Sequence, residues 1–218
     1  MTNTPLATLI EHLQSAECYP HATSSFEVFE THISYVILTG DYVYKFKKPV
    51  DLGFLDFSTL EKRKFYCEEE LRLNRRLAPA MYLDVISVHG TPEHPVVGGE
   101  GTLLEYAVKM RQFDTADRMD LVTARGELTA EQIDQLAMIV AAFHEVIPVA
   151  ASDSSFGTFE VIQQRIRQNF EQVLQYTDDP EISSLSSQLR VWSEAALATR
   201  QDLVAHRKQE GAVRDGPG

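Results

Sequence analysis

The sequence predicts an α+β fold in which a five-stranded antiparallel sheet carrying one long helix precedes an all-helical segment. Three observations point there. Residues 25–47 hold three β-rich runs, the last two joined by Gly40-Asp41, a two-residue link of the kind that closes tight hairpins. Ser58-Thr59-Leu60-Glu61 is a capping-box signature, and the helical pattern behind it runs without Gly or Pro to about Ala78. Beyond Phe113 no convincing strand pattern recurs. Strands, a helix, then strands is the order of an antiparallel arrangement rather than of alternating βαβ units.

Each element has its own signal. Leu6, Leu9, Ile10 and Leu13 lie at helical spacing within residues 4–17, and Tyr19-Pro20 ends that segment. This short amphipathic helix is expected to pack on the sheet. The strands are read as Ser25–Thr31, His32–Thr39 and Tyr42–Lys47, with Pro49 stopping the third because it lacks a ladder N–H. After Pro79 a fourth strand is expected over Tyr82–His89 and a fifth over Thr102–Phe113. Between them Thr91–Gly101, with two Pro and three Gly, reads as turn and loop. Helices follow over Asp117–Ala124, from Thr129 to near Pro148, over Phe159–Gln175, and as one long helix from Glu181 to about Glu210. A small-residue link at Ala150–Gly157 and a turn at Asp178-Asp179-Pro180 separate them. The expected division is 1–22 as N-terminal helix, 23–113 as the sheet-bearing part, and 114–218 as the helical part.

Composition narrows the function classes. The chain has 218 residues, 44% hydrophobic and 24% charged, with a net charge of −12. That balance argues against a nucleic-acid binder relying on overall basic charge. No apolar run reaches membrane-spanning length, and MTNTPLATLI lacks the basic start of a signal peptide. Cys18 and Cys67 form neither a disulfide framework nor a zinc spacing. A cytoplasmic protein with no nucleic-acid or membrane partner is expected.

The residues that carry chemistry lie in YVYKFKK and the helix after it. By period-two alternation Val43, Lys45 and Lys47 share one strand face, and Tyr42, Tyr44 and Phe46 the other. Tyr66, Glu70, Leu73 and Leu77 form one helical stripe, so Glu70 looks inward while Glu68 and Glu69 point elsewhere. Spacing is compatible with two arrangements. One is a Lys45–Glu70 ion pair that holds the lysine for the α- and β-phosphates of ATP. The other is a solvated basic strand end, Lys45-Lys47-Lys48, beside a helix of ordinary surface charge.

The run ETHISYVILTGDYVYKFKKPVDLGFLDFSTLEKRKFYCEEELRLNRRLAP resembles the start of bacterial proteins with an aminoglycoside-phosphotransferase-like domain. In fuller members of that family a P-loop ATPase-like domain follows. The likeness continues through Glu105–Phe113, Ala142-Phe143-His144 and on to Val213-Arg214. It implies a kinase-like N-lobe, with an αC-type helix, and then the start of a helical C-lobe. It further implies that Lys45 contacts phosphate, that Glu70 is its partner, and that backbone from Met110 through Arg111 to Phe113 forms the hinge that meets adenine. The loop over the phosphates would be Thr31-His32-Ile33-Ser34, which departs from the family of protein kinases in having no glycine. ATP is the implied nucleotide, a small-molecule hydroxyl the implied acceptor, and magnesium is expected only in full-length relatives.

The resemblance breaks near the end. The family's His-Gly-Asp-x-His-x-x-x-Asn loop follows the Val-Arg that matches Val213-Arg214, whereas here Asp215-Gly216-Pro217-Gly218 stands in its place. The catalytic Asp and the metal ligands of phosphoryl transfer are therefore expected to be absent, leaving an inactive lobe with weak or no ATP binding. A truncated chain, a shifted reading frame and a natural half-kinase would read alike. The apolar helical faces around Leu136, Phe143, Phe170 and Trp192 favour truncation, with a missing C-lobe or P-loop domain as the absent partner. The alternative is a non-catalytic binding or regulatory module. Among weaker signals, Asp114, Asp117 and Asp120 read as a helix start, and Arg72, Arg75 and Arg76 as a solvated helix face.

Overall fold

The computed structural model describes residues 5–215; residues 1–4 and 216–218, which include the Pro217 of the C-terminal alignment, lie outside the described residues. Two compact units result, one up to Ile133 and one from Asp134. The first therefore holds Asp114–Ile133 as well as the sheet.

In the first unit, β1 (Glu27–Glu30), β2 (Ser34–Leu38), β3 (Tyr42–Lys47), β4 (Tyr82–Thr91), β5 (His94–Val97) and β6 (Leu103–Arg111) form one antiparallel sheet in the order β1-β2-β3-β6-β4-β5. The sheet has six strands among the described residues, not five. The added strand is β5, inside the stretch expected to be loop. Pro95 is tolerated there because β5 is an edge strand that pairs with β4 alone. Gly90, at φ +107°, makes the close turn into this hairpin, where a Cβ would collide with the His94 carbonyl oxygen. The β2–β3 link behaves as its sequence suggests. Gly40 takes φ +102°, Thr39 N–H donates to the Tyr42 carbonyl at 2.9 Å, and Leu38 faces Val43 across the pair.

Helix α1 (Pro5–His12) and a 3-10 turn at Ala16–Cys18 replace the single helix expected over 4–17. Their apolar residues Leu6, Leu9, Ile10, Leu13 and Cys18 join Ile37, Tyr44, Phe46, Val88, Val97 and Ala107 in one core cluster. Burying such aliphatic side chains contributes roughly 1.5–3 kcal/mol each before entropy, enough to hold a helix of this length that would not stand alone. Tyr19 donates its hydroxyl to the Leu13 carbonyl at 2.8 Å and sets its ring 5.1 Å from that of Tyr44, tilted by 50°. Helix α2 (Leu60–Asn74) takes the opposite face. Thr59 caps it, its hydroxyl accepting from Lys62 N–H. At its other end Arg75 donates to the Tyr82 carbonyl at 2.8 Å, so this arginine ties the helix to β4 rather than merely facing water. Asp114 caps a 3-10 turn at Thr115–Asp117, and α3 (Met119–Ala124) follows, with Asp120 paired to Arg118 at 2.7 Å.

Helix α4 (Ala130–Val146) runs across the division between the units. In the second unit, α5 (Phe159–Gln175), α6 (Pro180–Ala198) and α7 (Gln201–Gln209) follow. The long helix expected from Glu181 is two. Thr199 ends α6 and Arg200, at φ −116° and ψ 12°, restarts the chain as α7, a break that no Gly or Pro announces. Asp179 is the N-cap of α6 with Pro180 at its first turn, so the expected turn residues are a helix start. Val149 and Arg214 form a bridge, supported by Ala150 N–H donating to the Val213 carbonyl at 2.9 Å. Leu185, Leu189 and Trp192 of α6 and Leu136 and Met138 of α4 remain exposed. No helix among the described residues is long and apolar enough to cross a membrane.

Gly90→Ala is expected to destabilise the sheet unit by about 2 kcal/mol, combining positive-φ strain with the carbonyl collision. Chemical denaturation of the variant against the parent chain measures this. An unchanged midpoint would show that the β4–β5 hairpin is not built this way.

Candidate functional site

Lys45 and Lys47 sit on the α2-facing side of β3, one strand pleat apart, and both reach the same carboxylate. Lys45 Nζ donates to Glu70 Oε1 at 2.8 Å, and Lys47 Nζ donates to Glu70 Oε2 at 2.7 Å. Glu70 is half-buried on the sheet-facing side of α2, while Glu69 pairs outward with Arg72 at 2.9 Å; Leu77, expected on the same stripe, lies past the helix end and is exposed. Of the two arrangements open to the sequence, the paired one is found. Its third member is Lys47, which sequence reasoning placed on the right face without giving it a partner.

The two lysines differ in access. The Lys45 side chain is 30% exposed and that of Lys47 only 6%. Lys47 lies with its ammonium 4.9 Å from the centre of the Phe57 ring, and Phe57 is itself buried. Opposite it on β2 is Ser34, almost fully buried. Burial works against the charged form of Glu70, but Lys47 and Lys45 outweigh it and hold the carboxyl below its ordinary range. Nearby Cys67, free and fully buried, has its thiol pushed up to about 12 chiefly by burial. Burial likewise raises the Tyr82 hydroxyl, with Glu70 adding to it. A second buried pair, Arg63 with Glu105 at 2.8 Å, braces α2 against β6. There burial outweighs the arginine and raises the Glu105 carboxyl.

Along the same sheet face lies an apolar cavity of about 230 Å³. Its lining includes Phe29, Val36, Val43, Met81, Met110 and Phe113, with Arg111 and Gln112 at the rim. Register explains this grouping. Phe29 faces Val36, Val36 faces Lys45, and Val43 faces Met110, so the cavity wall and the lysine share one surface. Val43 and Lys45 are two residues apart on β3, or about 6.5–7 Å along the strand. The expected hinge residues Met110, Arg111 and Phe113 thus line a cavity on the sheet face that also carries Lys45. Gln112 anchors the segment: its N–H donates to the Asp41 carbonyl at 2.9 Å, and its Oε1 accepts from Gly40 N–H at 3.0 Å. Phe29, Val36, Val43 and Met81 were not anticipated, because they converge only through strand pairing.

The Thr31–Ser34 loop is a closed turn. Thr31 Oγ1 accepts from Ser34 N–H at 3.0 Å and from Ile33 N–H at 3.4 Å, so these two amides point inward. These two amides are therefore engaged within the turn itself. Among the described residues no three His, Cys, Asp or Glu side chains group as metal ligands. His89, flanking the β4–β5 hairpin, instead bonds Ser87 Oγ at 2.9 Å and the Gly101 carbonyl at 3.0 Å.

Replacing Glu70 by Leu leaves two ammonium groups without their carboxylate and is expected to cost about 3–5 kcal/mol in chemical denaturation. With Glu70→Gln the comparison becomes pH-dependent. Because the folded carboxyl is held down, its stabilisation is complete above the ordinary value of 4.5 and is lost as pH falls through the lower folded value. The parent chain's advantage over Glu70→Gln should shrink below pH 4.5; an advantage that grows instead would contradict the pairing. Cys67 should resist iodoacetamide at pH 8, since a thiol near 12 is only about 10⁻⁴ thiolate there, and label fully in denaturant, as peptide mass spectrometry would show.

The chain is similar to uncharacterized proteins of Mycobacterium tuberculosis and Mycobacterium bovis, each 28% identical over 190 residues. The match covers 87% of this chain and 36% of the relative, so the chain spans about a third of the length of the curated relatives it matches. No family model matches the chain, and no solved structure matches it.

Proposed function

We propose that the sheet unit is a nucleotide-binding lobe of the kinase-like, aminoglycoside-phosphotransferase-like type, serving phosphoryl transfer from ATP to a hydroxyl of a small molecule. The observation that carries this reading is the Lys45–Glu70 pair on the same sheet face as an apolar, base-sized cavity, with Val43 of the cavity wall two residues from Lys45. An apolar slot next to a held cation suits a ligand with a flat heterocycle at one end and phosphates at the other. Val36, Val43 and Met110 offer apolar contact to adenine, and backbone around Met110–Phe113 offers the polar edge. Lys45 meets the phosphates, and Glu70 keeps its ammonium on the cavity side of the sheet. Transfer also requires a base near the hydroxyl and metal ligands.

Titration of ATP with magnesium by calorimetry tests the reading, using the parent chain and Lys45→Ala. Loss of the phosphate contact is expected to weaken ATP binding by at least about tenfold, one charge-assisted contact being worth about 1.5–3 kcal/mol. The melting temperature should change little, since Lys47 still pairs Glu70. Equal ATP affinity in the two proteins, or no binding by the parent chain, would sink the reading.

A further inference from the structure

We infer that Lys47 is a positioning residue that neutralises Glu70, so that Lys45 meets the nucleotide's phosphates with its positive charge uncancelled. The inference rests on the nucleotide reading above and adds to it a charge-setting residue.

The argument begins with a charge count. A lysine paired one-to-one with a carboxylate presents no net charge to an incoming anion. Here one carboxylate takes two ammonium groups, one on each oxygen, and the cluster carries a surplus of one positive charge. Access decides where that surplus is felt. Lys47 is 5% exposed, has the Phe57 ring beside its ammonium, and faces Ser34 across the strand pair. Ser34 Oγ is buried and has no hydrogen-bond partner among the described residues, so the surroundings of Lys47 are closed. Lys47 therefore acts on a ligand only through Glu70. Lys45 is the more open of the pair and lies on the strand face that continues into the apolar cavity. Both remaining glutamates of that helical turn are directed outward, Glu69 to Arg72 and Glu68 toward Lys64. Nothing else on the turn supplies the second negative charge that would cancel Lys45.

The arrangement also fixes Glu70 without help from the nucleotide. When Lys45 leans toward a phosphate, Lys47 still holds the other carboxylate oxygen, so α2 need not move and Glu70 is not left bare.

The experiment measures affinities for ATP with magnesium and for uncharged adenosine in the parent chain, Lys47→Met and Lys47→Arg, with melting curves to confirm folding. Removing the Lys47 charge is expected to weaken ATP binding roughly tenfold while leaving adenosine binding unchanged, because only the phosphate end senses the surplus charge. Lys47→Arg, which restores the charge, should recover ATP binding. A merely structural role would lower both affinities together, and that result overturns the inference. So does an ATP affinity in Lys47→Met equal to the parent's, which would leave the nucleotide reading standing. If the parent chain binds no ATP, the nucleotide reading falls and the inference with it. Should the methionine variant fail to fold, Lys47→Gln, neutral but able to donate to Glu70, provides the same comparison.

Discussion

Burying a Lys–Glu–Lys cluster between a sheet and a helix is the constraint on which the first unit's arrangement depends. Ionised groups leave water at a cost of several kcal/mol each, and only close pairing offsets it. Glu70 must therefore stand at one height on α2 and one rotation about its axis, and β3 must present alternate residues to it. The Thr59 cap at the start of α2, the Arg75 link at its end and the Arg63–Glu105 pair fix that height and rotation. On the other side of the sheet the α1 cluster is wholly apolar or aromatic and imposes no comparable geometry. One face is packed for stability, the other is arranged around charge.

That division explains why the apolar cavity and the cation occur together. Strand alternation sends Tyr44 and Phe46 to the α1 side and leaves Val43 and Lys45 on the α2 side. Helix α2 covers Lys47 and Glu70, while the row from Val36 across Val43 to Met110 lines the cavity. Covering Lys47 while leaving Lys45 more open separates two lysines of identical chemistry into a buried counter-charge and an accessible one.

The second unit follows a different logic. Its helices carry large apolar residues with little cover: Trp192 is 68% exposed and Leu185 58%. Helix amphipathicity was legible there, since α5 begins and ends where periodicity indicates and α6 begins where its turn residues stand, although α6 ends well short of the expected position. The break at Thr199–Arg200 was not, because neither Gly nor Pro marks it. In the sheet unit β5 escaped for a related reason. Proline argues against a strand only where its N–H would be needed, and the edge position of β5 is a property of the sheet as a whole.

What the sequence by itself determined is what local chemistry dictates: the Gly40 turn, a hydroxyl cap within Ser58-Thr59 (one residue later than the capping-box pattern places it), the face shared by Lys45 and Lys47, and the inward direction of Glu70. Each follows from a spacing of a few residues along one segment. Only the tertiary structure decided that Lys47 takes the second oxygen of Glu70, that Phe29, Val36 and Met81 line one cavity on the Lys45 face, and that Thr31 takes up the amides of Ile33 and Ser34. The physical reason is register. Periodicity tells which face a residue takes, but which residue stands opposite is set by pairing between segments far apart in the chain, and a shift of one residue would have moved every side chain to the other face.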